Sequence, residues 1–357
     1  MRVLHVITGL GVGGAEHQLR LLLKRLPHEC EVVTLTNPGP VADAIRADGT
    51  PVHVLGMRGN RDLSAVPWLA RLIQAGRFDL VHTHLYRACV YGRIAARLAG
   101  VRGVATEHSL GDGQIEGRPT TRAVRALYQA TERLGRTTIA VSNTVAERLR
   151  AWGVRRIHVV PNGIDAAELR YDPGIRAATR VRLGIPADAP VVGTVGRLVP
   201  SKRVDELIRA MAAVPDATLL VAGDGPERAA LEALARKAGG RVVFAGATRY
   251  PRGMLCAMDV FAAPSTQETF GMAVLEALAA GLPAVYVTCP PLEELPPDAA
   301  PHARRVEPPS LVDGLRDALD RFGGARLPVP PAVDHYDITR LAGVVGQVYD
   351  HLESEGP

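Results

Sequence analysis

The feature that most constrains this chain is an alternation that runs almost its whole length. Short β-rich apolar runs are each followed by a stretch at helical period. "RVLHVIT" leads into "GAEHQLRLLLKRL", "CEVVTLT" into "PVADAIRADG", "PVHVLG" into "LSAVPWLARLIQAG" and "FDLVHTH" into "RACVYGRIAARLAG". "RGVATEH" is followed by a glycine-rich loop and the helix "TRAVRALYQATERLG"; then come "TTIAVS", "NTVAERLRAWG" and "IHVVPNG". Strands that alternate with helices in this way build a parallel sheet covered on both faces. After a polar stretch the pattern restarts. "VVGTVG", a helix from Arg203, "ATLLVAG", a helix from Pro226, "RVVFAG", a short helix, "VFAAPS" and "PAVYVTC" follow in order. The expected class is therefore α/β, with two Rossmann-like doubly wound domains over 1–167 and 168–337. The linker is expected between Asp165 and Pro190. The last helix, about 338–357, has no strand after it and is expected to pack back on the first domain. The proline-rich run Pro290 to Pro309 reads as irregular surface.

Other properties narrow the function classes. A length of 357 residues suits about two domains, and 47% hydrophobic residues can fill their cores. No apolar run approaches the 18 residues of a membrane-spanning helix. The apolar N-terminal run is too short for a signal peptide and reads as a first strand. Cys30, Cys89, Cys256 and Cys289 show no CxxC spacing and read as reduced core thiols of a cytoplasmic protein. Aromatic residues are only 4% and no basic block is interleaved with them, which argues against nucleic acid. Charge is uneven. Up to Asp165 there are 22 Lys and Arg against 13 Asp and Glu, and beyond it 20 against 24. The basic first half could meet an anionic acceptor or the inner surface of a membrane. Ordinary solvated arginine-rich helix faces would give the same count.

In doubly wound sheets ligands sit at the carboxyl ends of the strands. That rule selects the Gly9–Gly14 loop, His82, His84, Glu107, His108, Ser142 and Asn143 in the first domain. In the second it selects Arg197, Lys202, Asp224 and Glu268. "GLGVGG" fits GxGxxG between a strand and a helix, but the second strand ends "TLTNPG" with no acid to hold a ribose, so a nicotinamide cofactor is disfavoured. The glycines would still let amides approach a phosphate; a tight strand-to-helix turn needs them equally. Arg197 and Lys202 flank a Pro-Ser turn before a helix, an arrangement that suits a diphosphate and that solvated surface loops also show. Asp224 lies in "AGDGP", which is good turn chemistry by itself. His84 is placed at the strand end and His82 on the opposite face.

The stretch "STQETFGMAVLEALAAGLP", Ser265 to Pro283, carries two carboxylates with seven residues between them. Helical period over Phe270 to Ala279 is expected to bury Met272, Leu275, Leu278 and Ala279. Glu268 then stays in the preceding loop, and Glu276 sits beside the apolar stripe, where a carboxylate wants hydroxyl partners. A first-turn acid plus an exposed glutamate is the plain alternative.

Taken together, "GLGVGGAEHQ", "VHTH", "AVSN", "VVPNGID", "VGRLVPSKRVDELIRA", "AGDGPE" and "APSTQETFGMAVLEALAAGLP" resemble retaining glycosyltransferase family 4, of the GT-B fold. The matches run in family order from Met1 to about Pro283. The resemblance implies two Rossmann-like domains facing across a central cleft, a nucleotide-sugar donor held mainly by the second and a hydroxyl acceptor held mainly by the first. It implies a hexosyltransferase that needs no metal and no cofactor beyond the nucleotide diphosphate sugar, with a UDP-sugar favoured and a GDP-sugar as the other choice. Glu276 would hold the ribose hydroxyls. Arg197 and Lys202 would neutralise the diphosphate, with the Gly13 and Gly14 amides opposite. Glu268 would hold the donor sugar, with Phe270, Gly271 and Met272 beside it and His84 facing it. His108, Glu107 and Asn143 would meet the acceptor, which could be anionic or lipid-linked.

The chain departs from the family where a Gly-Gly segment is usual and "VTCPPLEEL" stands instead, and in "TRYPRG", which lacks the usual acidic pair near the base. A sugar-nucleotide epimerase of the same fold and a non-catalytic sugar-nucleotide-binding protein are the alternatives. The first would turn over a nucleotide sugar without acceptor, and the second would transfer nothing.

Overall fold

The structure is a computed structural model that describes residues 1–354 except Asp112, Gly117, Arg249 and Tyr250. The chain divides into two compact units. One comprises Met1–Gly163 together with the segment from Ile338, and the other is Ile164–Asp337. The division thus falls at Gly163/Ile164, against the 167/168 expected from the sequence.

The first unit contains β1 (Arg2–Ile7), β2 (Glu29–Thr34), β3 (Val52–Val54), β4 (Leu80–His84), β5 (Arg102–Glu107), β6 (Leu110–Gly111), β7 (Gln114–Ile115), β8 (Arg118–Pro119), β9 (Thr137–Ala140) and β10 (Ile157–Val159). Seven of these form one parallel sheet in the order β10-β9-β5-β4-β1-β2-β3. The stretch expected as a glycine-rich loop instead folds into a small antiparallel meander, β6-β7-β8. The second unit contains β11 (Val191–Val195), β12 (Thr218–Ala222), β13 (Arg241–Gly246), β14 (Val260–Ala263), β15 (Ala284–Tyr286) and β16 (Ala303–Arg305). They form a parallel sheet ordered β13-β12-β11-β14-β15-β16. Strand order reverses between β1 and β4 and between β11 and β14, which are the switch points where such sheets leave room for ligands.

Two expectations need correction here. The run Pro290 to Pro309 is not irregular surface, because β16 closes the sheet from within it and Pro290, Pro291 and Leu292 are buried. The stretch read as a linker carries helices Ala166–Leu169 and Pro173–Leu183, both within the second unit. The second of these is well specified locally. Asp172 accepts from the Ile175 amide at 2.9 Å, Pro173 occupies the first turn, and Gly184 ends the helix at φ +63°. What docks it is a buried carboxylate, Asp259, just before β14. Asp259 accepts from Arg176 at 2.7 Å, from Arg180 at 2.8 Å and from the Val191 amide at 2.8 Å. Arg180, itself buried, also donates to the carbonyls of Ala257, Pro186, Ala187 and Ala189.

The C-terminal helix Ile338–Ser354 covers one face of the first sheet. Ala342, Val345, Val348, Tyr349 and Leu352 share a core cluster with Val3, Leu80, Val104, Ile139 and Val160. Gly163 lets the chain pass close to its start, since a Cβ there would lie 2.6 Å from Ile338 Cα.

Removing one member of a buried, fully hydrogen-bonded charge cluster strands the others. Asp259→Ala is therefore expected to cost about 3–5 kcal/mol of stability, read from urea denaturation. A loss below about 1 kcal/mol would show that the arginines find other partners.

Candidate active site

In the second unit the candidate residues gather on the loops after β11, β12 and β14. Two of those loops touch backbone to backbone. The Leu198 amide donates to the Asp224 carbonyl at 2.9 Å and the Glu227 amide to the Leu198 carbonyl at 3.1 Å. Gly225 permits this, since a Cβ on it would sit 2.3 Å from the Leu198 carbonyl oxygen. Asp224 itself caps its own turn, accepting from the Gly225 amide at 2.7 Å. This supports the turn reading of that residue. Arg197, held on this platform, is exposed and makes no side-chain hydrogen bond or ion pair among the described residues.

The third loop is tied to the first by Ser265, whose Oγ lies 2.9 Å from the Ser201 carbonyl oxygen. That tie brings Lys202 and Glu268 together as an ion pair at 2.5 Å. The family resemblance puts them on separate parts of a ligand. In the free protein each neutralises the other. Gly271 then turns the chain at φ +98° into the helix Met272–Ala279, a conformation a side chain would strain. Phe270 is buried edge-on to Tyr336, ring centroids 5.5 Å apart, so its ring is core. Met272 is only half-buried, against expectation; at the first helical position it lies at the rim, and Val274 takes its place in the core.

Glu276 is the unusual residue. It is 9% exposed and its carboxylate has no hydrogen bond or ion pair among the described residues. Burial alone raises its pKa to about 7. A buried carboxylate without a partner is costly, and groups that donate hydrogen bonds to it would relieve that cost. Cys289, of the segment that replaces the family's glycines, is a buried thiol whose Sγ lies 3.8 Å from the Gly271 carbonyl oxygen, and burial pushes its pKa up. A Cβ on Gly271 would lie 3.0 Å from that sulfur, so cysteine and glycine pack as a pair. In "TRYPRG", Arg249 and Tyr250 lie outside the described residues, and Pro251 opens the helix Pro251–Ala257.

In the first unit, Gly13 precedes the helix Gly14–Leu23 with extended backbone, and the Glu16 carboxylate lies against it, so that a Cβ on Gly13 would sit 2.5 Å from Glu16 Oε2. Asn143 is exposed at the start of helix Asn143–Ala151, which Ser142 caps by accepting from the Val145 amide at 3.2 Å. Glu107 is fully buried. One oxygen accepts from the Ser109 amide at 3.3 Å, the other has no partner among the described residues, and burial followed by the nearby Glu116 raises its pKa to about 7. It is enclosed rather than presented to an acceptor.

His84 is also enclosed, at 1% exposure. Its Nε2 lies 3.1 Å from His5 Nδ1 and its Nδ1 lies 3.2 Å from His108 Nε2. His82 does not point to the other face. Residues two apart on a strand share a face, and its ring centroid is 4.1 Å from that of His84. Its two nitrogens meet the Tyr349 hydroxyl and Thr106 Oγ1, so its reading as structural stands. Burial lowers all four imidazoles, His5 to about 3 and His108 to about 4, so all are neutral at pH 7. Sequence reading missed His5. The signal was its position on β1 directly opposite His82 of β4.

Residues 12–168 match the model of Glycosyltransferase Family 4, and residues 189–322 that of Glycosyl transferases group 1. A GDP-mannose-dependent alpha-mannosyltransferase of Mycobacterium tuberculosis is 34% identical over 277 residues, 74% of this chain and 71% of that protein. The chain belongs to glycosyltransferase family 4. As a family 4 protein it is a GT-B glycosyltransferase that draws its sugar from a nucleotide sugar. A D-inositol 3-phosphate glycosyltransferase of Mycobacterium bovis is 32% identical over 234 residues, 59% of this chain and 47% of that protein. The crystal structure of Anabaena HepE in complex with UDP and glucose has the same fold, with a TM-score of 0.84 at 22% identity over 98% of this chain and all of that one.

The Glu276 carboxyl couples stability to pH. Folded, it holds its proton up to about pH 7; unfolded, it releases it near 4.5. Between those values the folded state binds more protons, so its contribution to stability is present below pH 4.5 and is lost as pH rises through 7. In Glu276→Gln that loss should vanish, leaving the variant about 3 kcal/mol better off relative to wild type at pH 8 than at pH 4.5. Urea denaturation at the two pH values measures it, and parallel pH profiles for the two proteins would refute it.

Proposed function

We propose that this family 4 enzyme is a retaining, metal-independent hexosyltransferase, with the donor held by the second unit and a hydroxyl acceptor received by the first. The observation that carries this reading is Glu276, a buried carboxylate with no partner among the described residues, within the helix Met272–Ala279 whose leading loop holds Glu268 against Lys202. Ribose hydroxyls donating to Glu276 would supply what burial has taken from it. The donor diphosphate would draw Lys202 away from Glu268 and recruit the exposed Arg197, freeing Glu268 to accept from hydroxyls of the donor sugar. In the first unit the Gly13 and Gly14 amides would donate to the same anion once the Glu16 carboxylate yields its place beside them.

Chemically, the bond between the anomeric carbon and the diphosphate oxygen breaks, and the new bond forms from an acceptor oxygen on the same face. The acceptor proton passes to the departing phosphate oxygen. Arg197 and Lys202 stabilise the negative charge that develops there, and the reaction requires no protein nucleophile. His108, which lines a small cavity together with His84, is taken as the acceptor-side imidazole, with Asn143 exposed as a further acceptor contact. Full activity in EDTA, with a product that keeps the donor's anomeric configuration by NMR, is expected. Loss of activity that magnesium or manganese restores, or an inverted product, would sink the proposal.

The relative that uses GDP-mannose supports a GDP-sugar, so GDP-mannose joins the UDP-sugars favoured on sequence at the head of a thermal-stabilisation panel. The basic first half, 22 Lys and Arg against 13 Asp and Glu, and the relative named for inositol 3-phosphate support an anionic acceptor. An acceptor KM indifferent to ionic strength would remove that part. The cytoplasm, or the inner membrane surface, is the proposed place of action.

The two carboxylates should separate kinetically. Glu276→Gln is expected to raise the donor KM and weaken nucleoside diphosphate binding. Glu268→Gln should mainly lower kcat and leave that binding nearly unchanged, because it touches the sugar whose charge develops in the transition state. Effects of roughly ten- to a hundred-fold match a lost charged hydrogen bond of roughly 1.5–3 kcal/mol. The opposite pattern would reverse the two assignments.

A further inference from the structure

Four buried histidines stand behind the surface of the first unit. His5 and His82 face each other across β1 and β4, and His84 follows His82 on the same face. Ligating atoms of His5, His82 and His84 lie within 4.8 Å of one another, a grouping that could hold a metal ion. The hydrogen bonds argue otherwise. Both nitrogens of His82 and both of His84 are already engaged, so metal binding would break a hydrogen bond at each. What the distances describe is a line, His5 to His84 to His108, closed at both ends. Among the described residues, His5 Nε2 and His108 Nδ1 are buried without hydrogen-bond partners.

Each imidazole in the line is neutral and carries one proton, so only two patterns are open. In one, His5 donates from Nδ1 to His84, His84 donates from Nδ1 to His108, and His108 is left with a proton on Nδ1. In the other every proton is reversed, and His5 Nε2 carries an N–H aimed into the core with no acceptor. A buried N–H without an acceptor is the rarer and costlier defect; an unshared lone pair is tolerated better. The first pattern asks for an acceptor beside His108 Nδ1, and His108 lines a small cavity of about 20 Å³, shared with Gln18, Thr106 and Asn162, with room for one water that could accept. The Asn162 side chain is the neighbour that partly offsets the effect of burial on His108.

We propose that His84, backed by His5, is a positioning residue that locks His108 as the Nδ1–H tautomer, so that His108 is a hydrogen-bond donor and not a base toward an oxygen placed beside it. The lock follows from the first unit alone. Its effect on catalysis rests on the reading of His108 as an acceptor contact. The step described above asks for no protein base, and a donor would instead orient an acceptor oxygen.

Nitrogen-15 NMR of the imidazoles tests the lock without any substrate. The His108 signals are assigned by their disappearance in His108→Gln. At pH 7 the wild-type protein should show His108 with a protonated Nδ1 and a bare Nε2. His84→Asn keeps an N–H near the position of the former Nδ1 and should preserve that pattern. His84→Leu removes the donor, and His108 should revert toward the Nε2–H form that free imidazole prefers. The wild-type spectrum is decisive even if a variant fails to fold: an Nε2–H His108, or stoichiometric metal in the purified protein bound to His5, His82 and His84, overturns the proposal. In transfer assays His84→Leu should raise the acceptor KM about ten-fold with donor KM unchanged, and His84→Asn should restore it. If the NMR result holds while the acceptor KM stays put, the lock stands and the acceptor role of His108 falls.

Discussion

A parallel sheet sends the carboxyl end of every strand to one edge, and both units are built on that constraint. It is why residues far apart in sequence meet. Lys202 follows β11 and Glu268 follows β14, yet they lie 2.5 Å apart because these strands are neighbours at the switch point. The same constraint leaves loop backbones crowded. The loops after β11 and β12 hydrogen-bond to each other through Leu198, Asp224 and Glu227, and only a glycine at 225 leaves room for it. The cations and carboxylates of the candidate site therefore rest on backbone contacts that no side-chain substitution nearby can easily replace.

Desolvation is the second theme. Glu276 and Glu107 both hold their protons to about pH 7, mainly through burial. Their surroundings differ. The charge of a second carboxylate, Glu116, adds to the effect of burial on Glu107, whereas burial alone acts on Glu276. The histidine line shows the same force acting on the opposite kind of group. Burial strips each imidazole of its charge, and neutral imidazoles can then chain by single hydrogen bonds without repelling one another.

The alternation of strand and helix made the architecture legible, and motif residues such as Arg197, Lys202, Glu268 and Glu276 could be read because their loops follow strands directly. What escaped was set by tertiary contacts. The Lys202–Glu268 pair depends on which strands are adjacent, which no local pattern encodes. His5 lies in mid-strand, where strand-end reasoning does not look, and gains meaning only from the register of β1 on β4. His82 and His84, two apart on β4, share a face by the period of the strand. The strand β16 hides behind prolines that read as surface, because three residues of edge strand carry too little pattern to outweigh them.

The C-terminal helix has a consequence for how the protein comes into being. During synthesis the first 163 residues emerge with the sheet face of Val3, Leu80, Val104 and Ile139 lacking the helix that covers it. The second unit is continuous in sequence and can close as soon as it leaves the ribosome, whereas the first must hold an apolar face open until Ile338–Ser354 arrives. The part of the molecule that is made first is thus finished last, and the interval between is when a nascent chain of this design most needs a chaperone.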